Sequence, residues 1–377
     1  MSGLFVALIL VVVIFGFSWL QMYVYRRIWS RNLYFDMQTS NPAVFEGEKI
    51  TLTDSLINAN RLPLPWIHVS YKLSRCFQYM EGINKKTARG ERRSLVFVVG
   101  VRKTMSVKST VVCARRGHYH ASNLLITSNN LLMTHYETEK RDLRFTQLVY
   151  PKIVDYPEAM IPFKRMLGDV TVRRFIDPDP FTFKGIREYQ PYDAFRQINW
   201  NAAAKTGVLM SNIYDFTVTQ DITIFLNLQR YNRFERSFVH EEAIRLAAFY
   251  CRACIGMGIP VSLVCPARDG KPMRITGGLS RAHLETIYAA LAYIDLTIWN
   301  ASVIDYLPSV SDRAAVLISS YHDNDMREKF FSMRERCEGS LWVIPYYGLD
   351  EVGIENGIEA LGSIMTLEVK KEDYDNV

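Results

Sequence analysis

The stretch DITIFLNL, Asp221–Leu228, decides the fold of the second half of this chain. It is a short apolar, β-branched run without the polar alternation of a half-wet strand, as expected where both faces of a sheet are covered. SFVHEEAIRLAAFYCRACIGMG, Ser237–Gly258, follows at helical length; Gly256 and Gly258 supply stop signals and Pro260 prevents continuation. The alternation then repeats: strand IPVSLVC from Ile259, a helix from about Ser280 to Asp295 with Ser280 as its cap, strand AAVLISS from Ala314, helix DMREKFFSMRERC from Asp325, strand LWVIPYY from Leu341. Strands alternating with helices of this length predict βαβ units, hence a Rossmann-type α/β domain over 221–350 with a mainly parallel sheet.

Upstream, from 33 to 150, the pattern changes. KITLTDSLIN, WIHVSYKL, SLVFVVGV, SVKSTVVCA, HYHASNLLIT and RFTQLVY are short runs rich in Val, Ile, Thr and Tyr with period-two alternation. They predict a β-sandwich of immunoglobulin or fibronectin type. Residues 151–220 join the two regions, and 351–377 read as an acidic C-terminal tail.

Farther out still, Leu4–Tyr25 holds no charged residue. As a helix at ~1.5 Å per residue it is long enough for a bilayer core, so residues 1–32 are expected to be a transmembrane anchor with a basic juxtamembrane segment. The basic flank and small-residue cleavage site of a signal peptide are missing. Arg26, Arg27 and Arg31 follow the helix directly. The positive-inside rule therefore predicts a single-pass cell-membrane protein with its N-terminus outside and its soluble domains in the cytoplasm. Trp19, Tyr23, Tyr25 and Trp29 stand where an interfacial aromatic belt is expected.

The chain has 377 residues, 49% hydrophobic and 22% charged, enough for two packed cores. Six cysteines spread over this length are not a disulfide framework. Cys251 and Cys254 form a C-x-x-C inside an apolar helix, read as inert, with a redox or metal role as the alternative. Between Asn84 and Gly117 ten cations (Lys85, Lys86, Arg89, Arg92, Arg93, Arg102, Lys103, Lys108, Arg115, Arg116) face one acid, Glu91. A solvated sheet face is the plainer reading; contact with anionic lipid is the other, and no motif for nucleic acid accompanies the charges.

GIREYQPYDAFRQINWNAAAK, Gly185–Lys205, sits at the entrance to the α/β region. Asp193 is placed to cap the turn AFRQINW and to pair with Arg196 three residues on, while Phe195, Ile198 and Trp200 offer an apolar side. The stretch is expected to be buried, with its charges paired. Gly185, Arg187, Tyr189, Asp193, Arg196, Ile198, Trp200, Ala204, Lys205 and Leu209 resemble the signature of the DUF58 family. The FEGE and LPLPW segments and Arg115–Gly117 resemble the β-sandwich that precedes it. The resemblance implies a membrane-anchored protein with a von Willebrand factor A-like C-terminal domain. It also implies a MoxR-type AAA+ ATPase as partner, other envelope proteins as further contacts, and a part in chaperone-like assembly or envelope processes. Ala203 departs from relatives that carry Ser or Thr there.

A von Willebrand A domain commonly holds Mg²⁺ through oxygen ligands at the end of its first strand. Here that place reads Asn227, Leu228, Gln229, Arg230, without the carboxylate a hard divalent ion needs. The site is expected to be degenerate and without a cofactor. Ser319, Ser320, His322, Asp323 and Asp325 follow a later strand at the same edge, where open α/β sheets bind ligands. Asp323 or Asp325 is more simply the cap of the next helix. No phosphate loop, serine elbow or zinc-helix motif is present, and His118 and His120 share one strand face without a third ligand nearby. The sequence thus points to a non-enzymatic interaction protein. The alternative is a metal-dependent ligand-binding or enzymatic site built on Asn227, Gln229, Ser319 and Asp323.

Overall fold

The structure is a computed structural model that describes residues 2–73, 77–79, 85–87, 90–130, 132–176, 183–191, 193, 195–214, 221–230, 237–309, 314–337, 339–348 and 363–370. The chain divides into two compact units, Met1–Lys152 with Val377, and Ile153–Asn376.

The first unit opens with helix α1 (Ser2–Ile28), in which Leu8–Ile28 is long and apolar enough to cross a membrane. Twelve strands follow: β1 (Leu33–Thr39), β2 (Ala43–Phe45), β3 (Lys49–Asn58), β4 (Leu64–Leu73), β5 (Phe77–Tyr79), β6 (Lys85–Thr87), β7 (Gly90–Val99), β8 (Thr104–Cys113), β9 (Gly117–His120), β10 (Ser122–Asn129), β11 (Tyr136–Arg141) and β12 (Thr146–Tyr150). They form sheets in the orders β1-β3-β8-β5 and β11-β10-β4-β7-β6, with a smaller β2-β12-β9 sheet. All pairings in the two larger sheets are antiparallel.

Alternation explains why these sheets face each other. Along β3, Ile50, Leu52, Asp54 and Leu56 are buried while Thr51, Thr53 and Ser55 between them are more open. Ile50, Leu52 and Leu56 share one core with Ile67, Val69 and Tyr71 of β4, Phe97 of β7, and Leu124 and Ile126 of β10. Strands β3 and β4, consecutive in sequence, thus belong to opposite layers of a β-sandwich. The foot of α1 joins the same core through Tyr25 and Trp29. Of the ten clustered cations, Arg93 and Arg116 are buried, so the run is not one continuous charged face. Arg93 occupies an inward position of β7, and Arg89 lies outside the described residues.

The second unit begins with α2 (Pro157–Ile176), then β13 (Phe183–Glu188), a 3₁₀ turn (Phe195–Gln197), α3 (Trp200–Thr206) and β14 (Met210–Tyr214). Strands β13 and β14 pair antiparallel as a two-stranded hairpin of their own. The α/β part follows: β15 (Ile222–Asn227), α4 (Ser237–Gly256), β16 (Val261–Pro266), β17 (Pro272–Gly278), α5 (Arg281–Tyr293), a 3₁₀ segment (Ile304–Ser309), β18 (Ala314–Ser319), α6 (Asn324–Arg336), β19 (Gly339–Tyr346) and β20 (Ile364–Glu368).

These strands make a six-stranded sheet in the order β17-β16-β15-β18-β19-β20. Every pairing is parallel except that of β16 with β17. Strands β15, β16 and β18 are buried at every position, because helices cover both faces. Phe225, Leu317 and Trp342 pack with Met326, Phe330 and Met333 of α6 on one face. Helix α4, which contributes nothing to that cluster, lies across β15, β16, β18 and β19 on the other.

Ser280 caps α5 by accepting from His283 N at 3.0 Å, directly after edge strand β17. One stretch differs from the sequence reading. The acidic tail contributes β20, which pairs in parallel with β19 from Trp342↔Ile364 to Tyr346↔Glu368. Ile364 and Leu367 are buried there, and a parallel edge strand of five residues leaves little periodicity to read. Residues 351–362 and 371–377 of that tail lie outside the described residues.

Candidate functional site

Two places hold the residues that the sequence singles out, the hairpin of β13 and β14 and the carboxyl edge of the parallel sheet.

In the hairpin, β13 carries Arg187 to the side of a turn that Asp193 closes. The guanidinium grips the carboxylate with two nitrogens, Nη1 to Oδ2 at 2.7 Å and Nη2 to Oδ1 at 2.5 Å. Gln190 N donates to Oδ2 at 2.9 Å, and Tyr189 Oη donates to the Asp193 carbonyl at 3.1 Å. Arg187 holds the carboxyl below the usual carboxylate range, with the Gln190 amide adding to the effect. The carboxylate is 5% exposed, yet it lies under this local strap and not deep in a core.

The pairing with Arg196 expected from spacing is replaced by Arg187, because a hairpin strand reaches the turn in the fork geometry that a carboxylate prefers. The Asp193 carboxylate takes the Gln190 amide, ahead of the turn it was placed to cap. Helix α3 has its own cap, Asn199, whose Oδ1 accepts from Ala202 N at 2.9 Å while its Nδ2 donates to Asn212 Oδ1 at 2.8 Å. At the far end Gly207, at φ 74°, closes α3 through its N–H to the Ala203 carbonyl. Lys205 stands in that last turn, where a cation suits the carbonyl end of a helix.

Burial is where the expectation fails. Ile198 and Ser211 are buried, but Phe195 is 78% exposed and Trp200 67%, with Ile186, Val208 and Leu209 also exposed. Gly185 opens the irregular register between Phe183 and Gly185 against β14. The arm is a braced scaffold with its largest apolar side chains turned outward.

At the sheet edge, Asn227 ends β15 and Ser319 ends β18, paired in register. The order of strands reverses here: α4 leads from β15 to β16 on one side, and β18 lies on the other. Ligands of open α/β sheets bind at such points. Here the side chains fill the place themselves. Asn227 Nδ2 donates to Ser319 Oγ at 3.0 Å and Asn227 Oδ1 accepts from Val303 N at 3.3 Å. Ser319 Oγ also accepts from Tyr321 N at 3.1 Å and donates to the Tyr321 carbonyl at 2.8 Å. One donation and two acceptances exhaust a hydroxyl, and both residues are fully buried.

Gln229 lies on the half-buried loop beyond, and Arg230 donates to the Leu296 carbonyl at 2.6 Å. Asp323 caps α6, its Oδ1 accepting from Asn324 N at 2.7 Å. Tyr321 Oη donates to Asp323 Oδ2 at 3.3 Å, and burial together with that carboxylate raises the phenol's pKa. Of the four candidates, Asn227, Ser319 and Asp323 already accept protein donors through their side-chain oxygens, and the one carboxylate among the four is a helix cap. The residues present do not fit the ion. Among the described residues no group of three His, Cys, Asp or Glu converges to hold a metal. Cys251 and Cys254 are buried within α4.

No family model and no curated protein matches this chain. Solved structures do. The CARDB domain of a Pyrococcus furiosus protein, in complex with di-metal ions, aligns over 31% of this chain and 91% of its own at 11% identity and a TM-score of 0.22. A non-cellulosomal cohesin from Archaeoglobus fulgidus aligns over 34% and 96% at 8% identity and a TM-score of 0.21. The Pseudomonas fluorescens alkylpurine DNA glycosylase AlkC, bound to DNA with an abasic site analog, aligns over 30% and 31% at 13% identity and 0.17. Likenesses at those scores carry no argument, and the sandwich rests on its own sheet order and shared core.

Proposed function

We propose that this chain is a membrane-anchored, non-enzymatic interaction protein whose β13–β14 arm is the surface a partner grips. The carrying observation is the exposure of Phe195 and Trp200 on a scaffold whose turn and helix are strapped by Arg187, Asp193 and Asn199. Large exposed aromatics on a rigid frame are what binding hot spots are made of. A solvated structural seam would not need them.

The remaining parts of the reading come from the residues and from the family resemblance. The helix Leu8–Ile28 anchors the chain, with Arg26, Arg27 and Arg31 favouring an N-terminus outside and cytoplasmic soluble units. The six-stranded sheet is a von Willebrand A-like domain in which Asn227 and Ser319 tie two strands together at the place where relatives hold a metal. The DUF58 signature supports a MoxR-type AAA+ ATPase as the partner, in assembly or envelope-related work.

A pull-down of the detergent-solubilised full chain with the MoxR-type ATPase of the same cell tests this. Capture is expected, and Phe195→Ala with Trp200→Ala should lower it at least tenfold with an unchanged melting temperature. No capture by the unaltered chain, with or without ATP, rejects the partner. Capture unaffected by the double substitution rejects the arm.

A further inference from the structure

The foot of α1 is fixed to the sandwich along β10 and β11. The Arg141 guanidinium donates to the carbonyls of Ser30 and Leu33. Four residues back along β11, Glu137 pairs with Arg26 at 3.0 Å. On β10, Ser128 Oγ meets Tyr25 Oη at 2.5 Å. Partners therefore step toward the start of α1 as the strands step toward their connecting loop. The β10–β11 hairpin runs alongside the helix with its tip aimed at the apolar segment.

The tip carries no charge from Asn130 to Tyr136, NLLMTHY. Leu132 is 49% exposed, Met133 60% and Tyr136 70%. It is also rigid. Asn130 Oδ1 accepts from Thr134 N at 2.8 Å, its Nδ2 donates to Thr134 Oγ1 at 2.8 Å, and Asn130 N donates to the His135 carbonyl at 3.0 Å. Met133 sits at φ 54°, in the left-handed region where Gly or Asn is the comfortable choice.

Reach identifies what that is. Ser128 is level with Tyr25, and the strands run on about two residues farther before the Asn130–His135 turn, roughly 7 Å at the rise of a strand. The helix covers that distance in about five residues, so the turn comes level with the Trp19 and Tyr23 rings, which stack at 5.9 Å. Those rings occupy the belt expected at a membrane surface.

We propose that the β10–β11 tip dips into the headgroup boundary of the phospholipid bilayer beside α1, with Leu132, Met133 and Tyr136 as its contacts. The sandwich is then held at a fixed angle to the membrane by two points. This rests on the reading of α1 as a membrane span.

The test uses the full chain in phospholipid nanodiscs, with Cys76→Ser to remove the one cysteine outside the described residues. A nitroxide is placed in turn at Val12→Cys, Met133→Cys and the exposed His120→Cys. The ratio of collision with oxygen to collision with a water-soluble nickel chelate should be several-fold higher at 12 and 133 than at 120. Adding Leu132→Asp should return the label at 133 to water while 12 stays in lipid. A lipid signal at 12 with an aqueous signal at 133 overturns the proposal and leaves the anchor standing. An aqueous signal at 12 overturns the anchor and the proposal together.

Discussion

Arg93 of β7 reaches across the sandwich to Asp54 of β3, Nη2 to Oδ2 at 2.9 Å, with both side chains buried. Tyr71 Oη donates to Asp54 Oδ1 at 2.6 Å, and Arg93 also donates to Ser109 of β8. Two residues from each sheet thus form one polar knot in an apolar core. Removing one member leaves the other charge buried and uncompensated. Asp54→Ala is expected to cost about 3–5 kcal/mol, whereas Asp54→Leu with Arg93→Met should cost less, about the 1–3 kcal/mol of the Tyr71 hydroxyl that loses its acceptor. Denaturant titration of the detergent-solubilised chain measures both. A single substitution no worse than the double would mean that water or another group takes up the stranded guanidinium.

The thiols offer a second check. Burial pushes Cys113, Cys254 and Cys265 up to about 12, from an ordinary value of 9.0, and raises Cys251 well above that value. In the window from 9 to 12 the unfolded chain has shed these protons and the folded chain keeps them, so stability falls as pH rises through it. A melting temperature that drops from pH 9 to pH 11 is expected. At pH 8 the buried thiols should react with a thiol reagent only in denaturant. Fast labelling of Cys251 or Cys254 in the folded chain would reopen a redox role for the pair.

The arm makes the opposite pH prediction. Arg187 depresses the Asp193 carboxyl. Its stabilisation is therefore full above the ordinary carboxylate value of about 3.9 and is lost as pH falls through the lower folded value. Asp193→Asn should imitate acid at neutral pH by weakening the bidentate grip. Limited proteolysis between Tyr189 and Gly207 is expected to speed up several-fold, with little change in the main melting transition. Cleavage no faster than in the unaltered chain would show that Asn199 and the β-pairing hold the arm without the strap.

Strands and helices were legible wherever one periodicity governed a segment. β3, as Lys49–Asn58, coincides with the run KITLTDSLIN because Ile50, Leu52 and Leu56 keep one face apolar, and β15 and β18 announce themselves as short runs buried at every position. Inward Asp54 and Arg93 are invisible to that logic, since each looks like the polar half of a strand until its partner is known. The pairing of Arg187 with Asp193 was obscured for a related reason. Helical spacing nominated Arg196, but a hairpin register decided the contact. Exposure of Phe195 and Trp200 has no sequence signature, because apolar residues beside a turn read the same whether covered or bare. The β10–β11 tip leaves no mark in the sequence, because LLMTHY is too short to show a period.

Ser319 gives the last test, and it separates a structural latch from a ligand site. Its hydroxyl takes hydrogen bonds from Asn227 and Tyr321 and gives one to the Tyr321 carbonyl; the bond with Asn227 is fully buried between the ends of β15 and β18, and those with Tyr321 are partly buried. Ser319→Ala strands the buried Asn227 amide and the partly buried Tyr321 N–H, so a loss of about 1–3 kcal/mol is expected, the range for unsatisfied buried groups. A site that exists to bind Mg²⁺ behaves differently. Its ligands are held apart for the ion, deleting one relieves crowding or costs little, and millimolar Mg²⁺ raises the melting temperature by mass action. The unaltered chain should melt at the same temperature with Mg²⁺, Mn²⁺ or a chelator, and Asp323→Asn should leave that indifference unchanged while slightly weakening the α6 cap. A melting temperature that climbs with Mg²⁺ and loses the climb in Asp323→Asn would turn the latch back into a metal site and make the sheet edge, not the arm, the working part of the molecule.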